Sequence, residues 1–189
     1  MSRKTVPVRE RILDTALRML GESGVRTLAQ PKVARRAGVP QGHLTYYFPK
    51  RMDLLAAVAA RFVERLREDV PALAAFATDA RARLDAAGRR QAMRFVARLA
   101  KDRARTRTVI GLVAAAEEDA ALRRQMADHV KTLRGLVAKL VERDVRDPDV
   151  DLALATLWGI GLMHLVLEDR SDAETQRLLD RFLTRIEAS

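Results

Sequence analysis

The 189-residue chain is 48% hydrophobic but only 4% aromatic, carries a formal net charge of +10 and contains no cysteine. This composition favours helices over strands, and it excludes a disulfide framework and a thiolate metal site. The N-terminus lacks the apolar core of a signal peptide, and no apolar run reaches the roughly 18–20 residues of a membrane span. We therefore predict an all-helical protein of the cytoplasm that has no membrane partner.

The positive charge is concentrated near the N-terminus. Residues 1–51 contain 11 Lys or Arg and 3 Asp or Glu, whereas residues 52–189 contain 24 Lys or Arg and 22 Asp or Glu. The net charge is therefore +8 in the first quarter of the chain and +2 in the rest. Such an excess is expected in a segment that meets a polyanion.

Two helices are predicted at the start of the chain, the second of them short. An apolar stripe at helical spacing from Ile12 to Leu20 marks the first, and Gly24 suits its C-terminal end. The second runs over residues 31–37, because proline is tolerated in a first turn. Gly38 ends this second helix and begins a tight turn.

A third helix of about two turns is predicted from Gln41 to Phe48, and Pro49 stops it. Leu44 and Phe48 are four residues apart, so both can face the core. That arrangement leaves polar and half-polar side chains on or beside the outer surface. They are Gln41, His43, Thr45, Tyr46 and Tyr47.

Longer amphipathic helices follow from Arg51 onward. Their predicted spans are 52–70, 81–104, 106–118, 120–143, 149–169 and 172–187. The span 149–169 is apolar on nearly all sides, so it must be buried on several faces.

The helix, glycine turn and helix around Gly38 form a helix-turn-helix arrangement. This geometry lets the second helix of the pair enter a major groove while the first contacts the DNA backbone. It also occurs as an ordinary surface hairpin in proteins that do not bind DNA. A helical protein-interaction module, with a basic face for an acidic partner, is a further reading of the same pattern.

Four stretches of the N-terminal block form a more specific pattern. They are "ILDTAL" in the first helix, "VARRAGV" in the second helix and turn, "GHLTYYF" in the third helix, and "KRMDLL" at the start of the fourth. From Arg9 to Val58, about a quarter of the chain, the sequence resembles the DNA-binding domain of the TetR family of bacterial transcriptional regulators.

The resemblance implies a domain organisation and a mode of action. A helix-turn-helix DNA-binding domain would occupy residues 1–50, and a helical ligand-binding and dimerisation domain would occupy 51–189. The protein would be a homodimer whose third helices lie in successive major grooves of a palindromic operator in double-stranded DNA. It would act as a repressor, released from the operator by an unidentified small-molecule inducer.

The start of the third helix is the predicted site of base recognition. Gln41 and His43 can reach base edges, and Gly42 lets the backbone approach DNA closely. Thr45 offers a hydroxyl to a phosphate or a methyl to thymine. The family pattern "KGTLY" is "QGHLT" here, so an operator cannot be taken over from a relative.

Phosphate contacts are expected from the end of the third helix and the residues beside it. Tyr46 and Tyr47 can donate hydroxyl hydrogen bonds, and Lys50 and Arg51 add charge at the start of the fourth helix. Lys32 either contacts a phosphate or is a solvated charge.

The second helix departs from the family at its start. Where relatives often have a Ser or Thr cap, this chain has Ala29, followed by Gln30 and Pro31. Loss of a hydroxyl cap costs about 0.5–2 kcal/mol. Pro31 partly compensates because it presets the first turn.

A ligand pocket is predicted in the helices beyond residue 51. Its lining would be apolar and partly flexible, which suits varied ligands. Packing of an ordinary core explains the same residues without a ligand. The candidates are Met93, Val96, Leu99, Leu112, Val113, Met126, Trp158, Met163 and His164.

A dimer interface is predicted in the last two helices, where the family places it. The glycine and the large apolar residues of these helices suit a four-helix contact between two copies. A purely intramolecular core is the alternative. The candidates are Gly159, Leu162, Leu179, Phe182 and Leu183.

No catalytic constellation is recognisable in the chain. It has no glycine-rich phosphate loop, nucleophile elbow or HExxH motif. His164 and Glu168 share a helix face, but two ligands do not make a metal site. The sequence therefore predicts no enzyme, cofactor or metal, and a DNA-binding regulator without an inducer remains the nearest alternative.

Overall fold

The computed structural model describes residues 7–68, 92, 95, 96, 98–167 and 171–187. Across these residues the regular elements are α-helices and one short 3-10 turn, without a strand. The prediction of an all-helical fold is therefore confirmed.

Four helices build the N-terminal part of the chain. Helix α1 covers Val8–Ser23, α2 covers Gln30–Ala37, α3 covers Gln41–Tyr47 and α4 covers Arg51–Glu68. The 3-10 turn Val25–Thr27 follows Gly24, whose φ is +78°. These elements confirm the helices predicted from the sequence.

Four long helices follow in the described part of the chain. Helix α5 covers Arg103–Ala116, α6 covers Ala120–Leu140, α7 covers Pro148–Val166 and α8 covers Asp172–Glu187. Most of the helix predicted over 81–104 lies outside the described residues, although residues 98–101 are helical.

Helix α6 ends three residues before the predicted end at residue 143. Glu142 adopts a φ of +54°, which breaks the right-handed helix. The amide of Arg143 donates to the carbonyl of Ala138 at 3.0 Å, so a left-handed closing turn replaces the last helical hydrogen bonds.

The chain divides into two compact units. The first contains Met1–Leu66 and Arg107–Ala127, and the second contains Arg67–Thr106 and Asp128–Ser189. By compactness, α4 therefore belongs with the helix-turn-helix, beyond the border predicted at residue 50. The functional limits of the DNA-binding domain stay a prediction.

One apolar core holds the first unit together. Helices α1 to α4 contribute most of it, and the segment from Arg107 to Ala127 adds Leu112 and Leu122, both fully buried. Two half-buried charged side chains also join α1 to α4, since the Asp14 carboxylate accepts from the Arg61 guanidinium at 2.9 Å.

Helix α5 lies very close to the end of α1 within this unit. The Arg107 guanidinium donates to the carbonyls of Gly21 at 2.7 Å and Glu22 at 3.0 Å. A Cβ added at Gly111 would lie 2.9 Å from Cδ1 of Leu20. The glycine therefore permits the close approach, and Arg107 satisfies carbonyls that the end of α1 leaves free.

The second unit is built around the inner face of α7. Val150 and Ala153 pack with Val137 of α6, and Ile160 packs with Leu179 of α8. At the N-terminal end of α7, the Asp147 carboxylate accepts from the amide of Asp149 at 2.9 Å, which makes a side-chain cap.

Helix α7 is 19 residues long, and an 18-residue window of it has a mean hydropathy of 1.4, with a third of that window buried. By length and composition it could cross a membrane, so the expectation that no segment has these properties is corrected here. Core helices of soluble proteins meet the same criteria.

Candidate nucleic-acid interface

The turn between α2 and α3 is fixed by backbone hydrogen bonds. Gly38 adopts a left-handed conformation, with φ +63° and ψ +41°. Its amide donates to the carbonyl of Arg35 at 3.2 Å, and the amide of Val39 donates to the carbonyl of Ala34 at 3.0 Å. This pair of bonds is a Schellman motif, closed by the buried side chains of Ala34 and Val39. It sets the direction in which α3 begins.

The inner face of α3 is anchored in the core of the first unit. Leu44 is fully buried and Phe48 is 3% exposed, as the spacing predicts. The guanidinium of Arg9 lies 5.7 Å from the centroid of the Phe48 ring, within range of a cation–π contact. The apolar side of the seven-residue helix α3 therefore attaches it to the core of the first unit.

The opposite side of α3 consists of Gln41, Gly42, His43, Tyr46 and Tyr47, all of them exposed, and we call it the α3 outer face. Tyr46 is 80% exposed, and its ring meets that of Tyr47 edge to face with centroids 5.2 Å apart. The face thus presents amide, imidazole and phenol groups to the surroundings.

Thr45 lies beside the α3 outer face and is half-buried. Its hydroxyl lies 3.2 Å from the carbonyls of both Gln41 and Gly42 and donates back into its own helix. The methyl and the hydroxyl lone pairs are the groups left for a contact with DNA.

The start of α4 supplies charge next to α3. The Asp53 carboxylate accepts from the backbone amide of Lys50 at 2.8 Å, which caps the helix and leaves the Lys50 side chain exposed. The Arg51 guanidinium instead donates to the carbonyl of Val25 at 3.2 Å. Arg51 therefore has a partner within the protein, which the sequence did not reveal.

The basic residues of α2 differ in their surroundings. Lys32 and Arg35 are exposed, whereas Arg36 forms an ion pair with Glu22 of α1. The exposed side chain of Lys32 is thus accessible to a phosphate, and its contact with DNA stays a prediction.

Sequence reasoning missed one contact at the end of α3. Nε2 of Gln30, in the first turn of α2, donates to the carbonyl of Phe48 at 2.6 Å. The absent hydroxyl cap is confirmed next to it, because Ala29 makes no side-chain hydrogen bond to the helix. The sequence feature that could have indicated this contact is the polar residue Gln30 directly after Ala29, which cannot cap the helix.

The predicted pocket residues lie in several different surroundings within the two units. Leu112 and Met126 are buried in the core of the first unit. Val96 packs with Ala92 and Leu140 in a separate small cluster of the second unit. Met93 lies outside the described residues.

The remaining pocket candidates also differ from one another. Val113, Trp158 and Met163 are exposed, and Leu99 is half-buried. The His164 side chain is buried, and its Nδ1 lies 3.0 Å from Oγ1 of Thr175. A ligand site formed by these residues stays a prediction.

The predicted interface residues divide between the two sides of their helices. Leu162 is exposed, Gly159 is half-buried and Phe182 packs partly against the core. Leu179 is fully buried against Ala100 and Ile160 in its own protomer, so it presents no surface to a partner. The side chain of Leu183 lies outside the described residues.

Among the residues that the structure describes, no group of three or more His, Cys, Asp or Glu side chains could hold a metal ion. Nε2 of His164 lies 3.4 Å from the Asp172 carboxylate, which is a pairing of two groups only.

Residues 12–58 match the family model described as bacterial regulatory proteins, TetR family. The helix-turn-helix segment of this chain is therefore similar to that of the TetR family. The matched segment runs from the second turn of α1 into α4 and contains the Schellman turn and the α3 outer face. The TetR resemblance of the sequence is thereby confirmed.

Known TetR-like proteins match this chain over different lengths. The HTH-type transcriptional regulator BetI of Rhizobium meliloti (strain 1021) is 35% identical over 81 residues, 42% of this chain and 40% of BetI. The HTH-type transcriptional repressor KstR of Rhodococcus jostii (strain RHA1) is 40% identical over 58 residues, 31% of this chain and 27% of KstR. The chain thus matches two fifths or less of the length of these curated relatives.

A solved structure matches nearly the whole chain. The multidrug binding protein EbrR complexed with ethidium is 26% identical and has a TM-score of 0.65. The alignment covers 93% of this chain and 98% of EbrR. The helices beyond the TetR DNA-binding segment therefore follow the same fold.

Replacing Gly38 by alanine should destabilise the protein by about 1 kcal/mol, because a side chain in the left-handed region is strained by about 1–2 kcal/mol. Gly42→Ala is the matched control. A Cβ at Gly42 meets no atom within 4 Å and the residue is helical, so stability should stay equal or rise by up to about 1 kcal/mol. Urea unfolding followed by circular dichroism measures both, and equal shifts would contradict the assignment.

Proposed function

We propose that this protein is a dimeric, sequence-specific DNA-binding transcriptional regulator whose α3 helix reads the major groove. The α3 outer face carries the proposal: five exposed residues stand on a helix whose other side is anchored by Leu44 and Phe48. An α-helix fits the major groove of B-DNA, where each base pair presents a distinct pattern of donors and acceptors. The family match over residues 12–58 supports this use of the face.

The charge of the N-terminal segment supports binding to the DNA backbone. Residues 1–51 contain 11 Lys or Arg against 3 Asp or Glu. Exposed Lys32 and Lys50 can approach phosphates, and Tyr46 and Tyr47 can donate hydrogen bonds to them. Arg51 would reach a phosphate only after leaving the carbonyl of Val25, so we assign its main role to the fold.

Base recognition is assigned to Gln41 and His43. Both lie in the first turn of α3, which is the end of a recognition helix that contacts base edges in helix-turn-helix proteins. The glutamine amide suits a paired contact to adenine, and the imidazole can donate or accept. Gly42 between them keeps the helix surface low enough for close approach.

A second copy of the chain is proposed to cover α7. Its outer side, which we call the α7 outer face, consists of Leu152, Trp158, Gly159, Leu162, Met163 and Val166. Leu152 is 67% exposed and Val166 is 65% exposed. An apolar stripe of this length is unfavourable in water, and burying it between two copies would remove that cost.

Regulation by a small molecule rests on the relatives. KstR is named as a repressor, and EbrR was crystallised with ethidium as a multidrug binding protein. We propose by analogy a cytoplasmic repressor that an inducer releases from its operator, without enzymatic activity. The alternative is a DNA-binding regulator without an inducer. A ligand-dependent rise in melting temperature would distinguish the two.

Selection of bound duplexes from a random pool tests the proposed function directly. We expect a palindromic sequence to be enriched at physiological salt and bound about 10³-fold or more above a scrambled duplex. Its two halves should be centred about 10 base pairs or a multiple of that apart. Failure to enrich any sequence would contradict sequence-specific binding.

Gln41→Ala and Lys50→Ala should separate base recognition from phosphate contact. Gln41→Ala removes an amide from a base edge, so discrimination against one base should fall by about 1–3 kcal/mol. Lys50→Ala should weaken binding to all duplexes alike and reduce the salt slope by about 0.9 for each protomer. Competition binding at several salt concentrations measures both. The same loss on every duplex from both variants would refute this assignment.

Leu162→Glu should break the proposed dimer, because it places a charge in an apolar contact. We expect the dimer dissociation constant to rise at least about tenfold. Ile110→Glu is a matched control, since Ile110 is 43% exposed and Leu162 is 46% exposed, but Ile110 lies on α5. Sedimentation velocity gives the oligomeric state of each, and an unaltered Leu162→Glu dimer would place the interface elsewhere.

A further inference from the structure

The two ends of α3 are fixed in different ways. Its N-terminal end follows the Schellman motif of Gly38 and Val39, in which backbone groups alone form the hydrogen bonds. At its C-terminal end the carbonyl of Phe48 accepts from Nε2 of Gln30 at 2.6 Å. The hydrogen bond that adds to the burial of Phe48 at this second end therefore depends on one side chain.

Few other polar groups can restrain the C-terminal end of α3, where the buried Phe48 side chain is the apolar anchor. A helix leaves its last carbonyls without partners, and Pro49 follows directly with no amide hydrogen to offer. The N-terminal end has no side-chain cap either, because Pro40 occupies that position. Within the described residues, the Gln30 to Phe48 bond is the side-chain hydrogen bond that joins α3 to α2.

We propose that Gln30 is a positioning residue that sets the orientation of α3 for reading DNA, without contacting a base itself. Gln30 is half-buried and its amide nitrogen is committed to Phe48. This inference rests on the proposed DNA-binding function and names a determinant of its specificity. Gln30 directly follows Ala29, the N-cap residue of α2, whose side chain makes no hydrogen bond to the helix.

The geometry explains why the effect falls on specificity. A helix of seven residues is about 10 Å long, so freedom at one end tilts the whole of it. Hydrogen bonds to base edges weaken steeply when distance or angle departs from the optimum. Attraction to phosphates by lysine and arginine tolerates such shifts, and Gln30 carries no charge. A loosened α3 should therefore bind DNA but distinguish sequences less well.

Three variants and a control test this role. Gln30→Met keeps the length without the donor, and Gln30→Asn keeps the amide but is one methylene too short. Gln30→Lys restores a donor that can reach a helix-terminal carbonyl. Gln176→Met is the control, because Gln176 donates to Asp180 within α8 at 2.8 Å. Each is measured for affinity to the selected duplex and to a scrambled duplex.

The ratio of the two affinities is the decisive quantity, because loss of folded protein or added charge changes both affinities together. We expect Gln30→Met and Gln30→Asn to lower the ratio about 5-fold for each protomer, or about 25-fold for a dimer on both half-sites. The salt slope should stay unchanged. Gln30→Lys should recover the ratio to within about 2-fold, and Gln176→Met should match the wild type.

Two results would overturn the inference. A ratio in Gln30→Met equal to that of the wild type would show that Gln30 acts on stability alone, and Gln30→Asn decides the point if the methionine variant does not fold. A change of preference confined to one base pair would show a direct contact. If the wild-type protein itself shows no preference between the two duplexes, the proposed function fails instead, so the two failures are distinguishable.

Discussion

The burial of Leu44 and Phe48 is the interaction on which the candidate interface depends. A helix of seven residues is not stable by itself in water, because the cost of nucleation exceeds what so few hydrogen bonds return. Full burial of one large apolar side chain contributes about 1.5–3 kcal/mol. Two such side chains fasten α3 to the core formed by α1, α2 and α4. The remaining residues of the helix are then free to be polar and exposed.

Local sequence signals predicted the part of the fold that local forces determine. The apolar spacing gave helices α1 to α3, and Gly38 marked the turn because its left-handed conformation suits glycine. Contacts between distant residues were not predictable. Gln30 meets Phe48 across 18 positions and Arg51 meets Val25 across 26. The early end of α6 was missed because Glu142 is not a residue type that marks a left-handed turn.

Apolar residues beyond α4 show the limit of reasoning from residue type. Leu112 and Met126 suit a pocket and a packed core equally well, and the structure places them in the core of the first unit. Helix α7 is apolar nearly all round, although only one of its sides packs within the protomer and the other is exposed. The periodicity of apolar residues cannot distinguish the side that packs within the protomer from the side that is exposed. Leu179 was assigned to an interface for this reason, although it is buried in its own protomer.

The contact of Arg107 with the end of α1 has a consequence for the modularity of the protein. The first unit is completed by Arg107–Ala127, which is separated from Leu66 by 40 residues in the sequence. A fragment that stopped after α4 would expose the apolar surface that Leu112 and Leu122 normally cover. Exchange of the first quarter of the gene between relatives would therefore succeed only where the recipient's α5 and α6 match the donor's α1. The DNA-contacting helices and the two later helices share one core, so they are expected to change together in evolution.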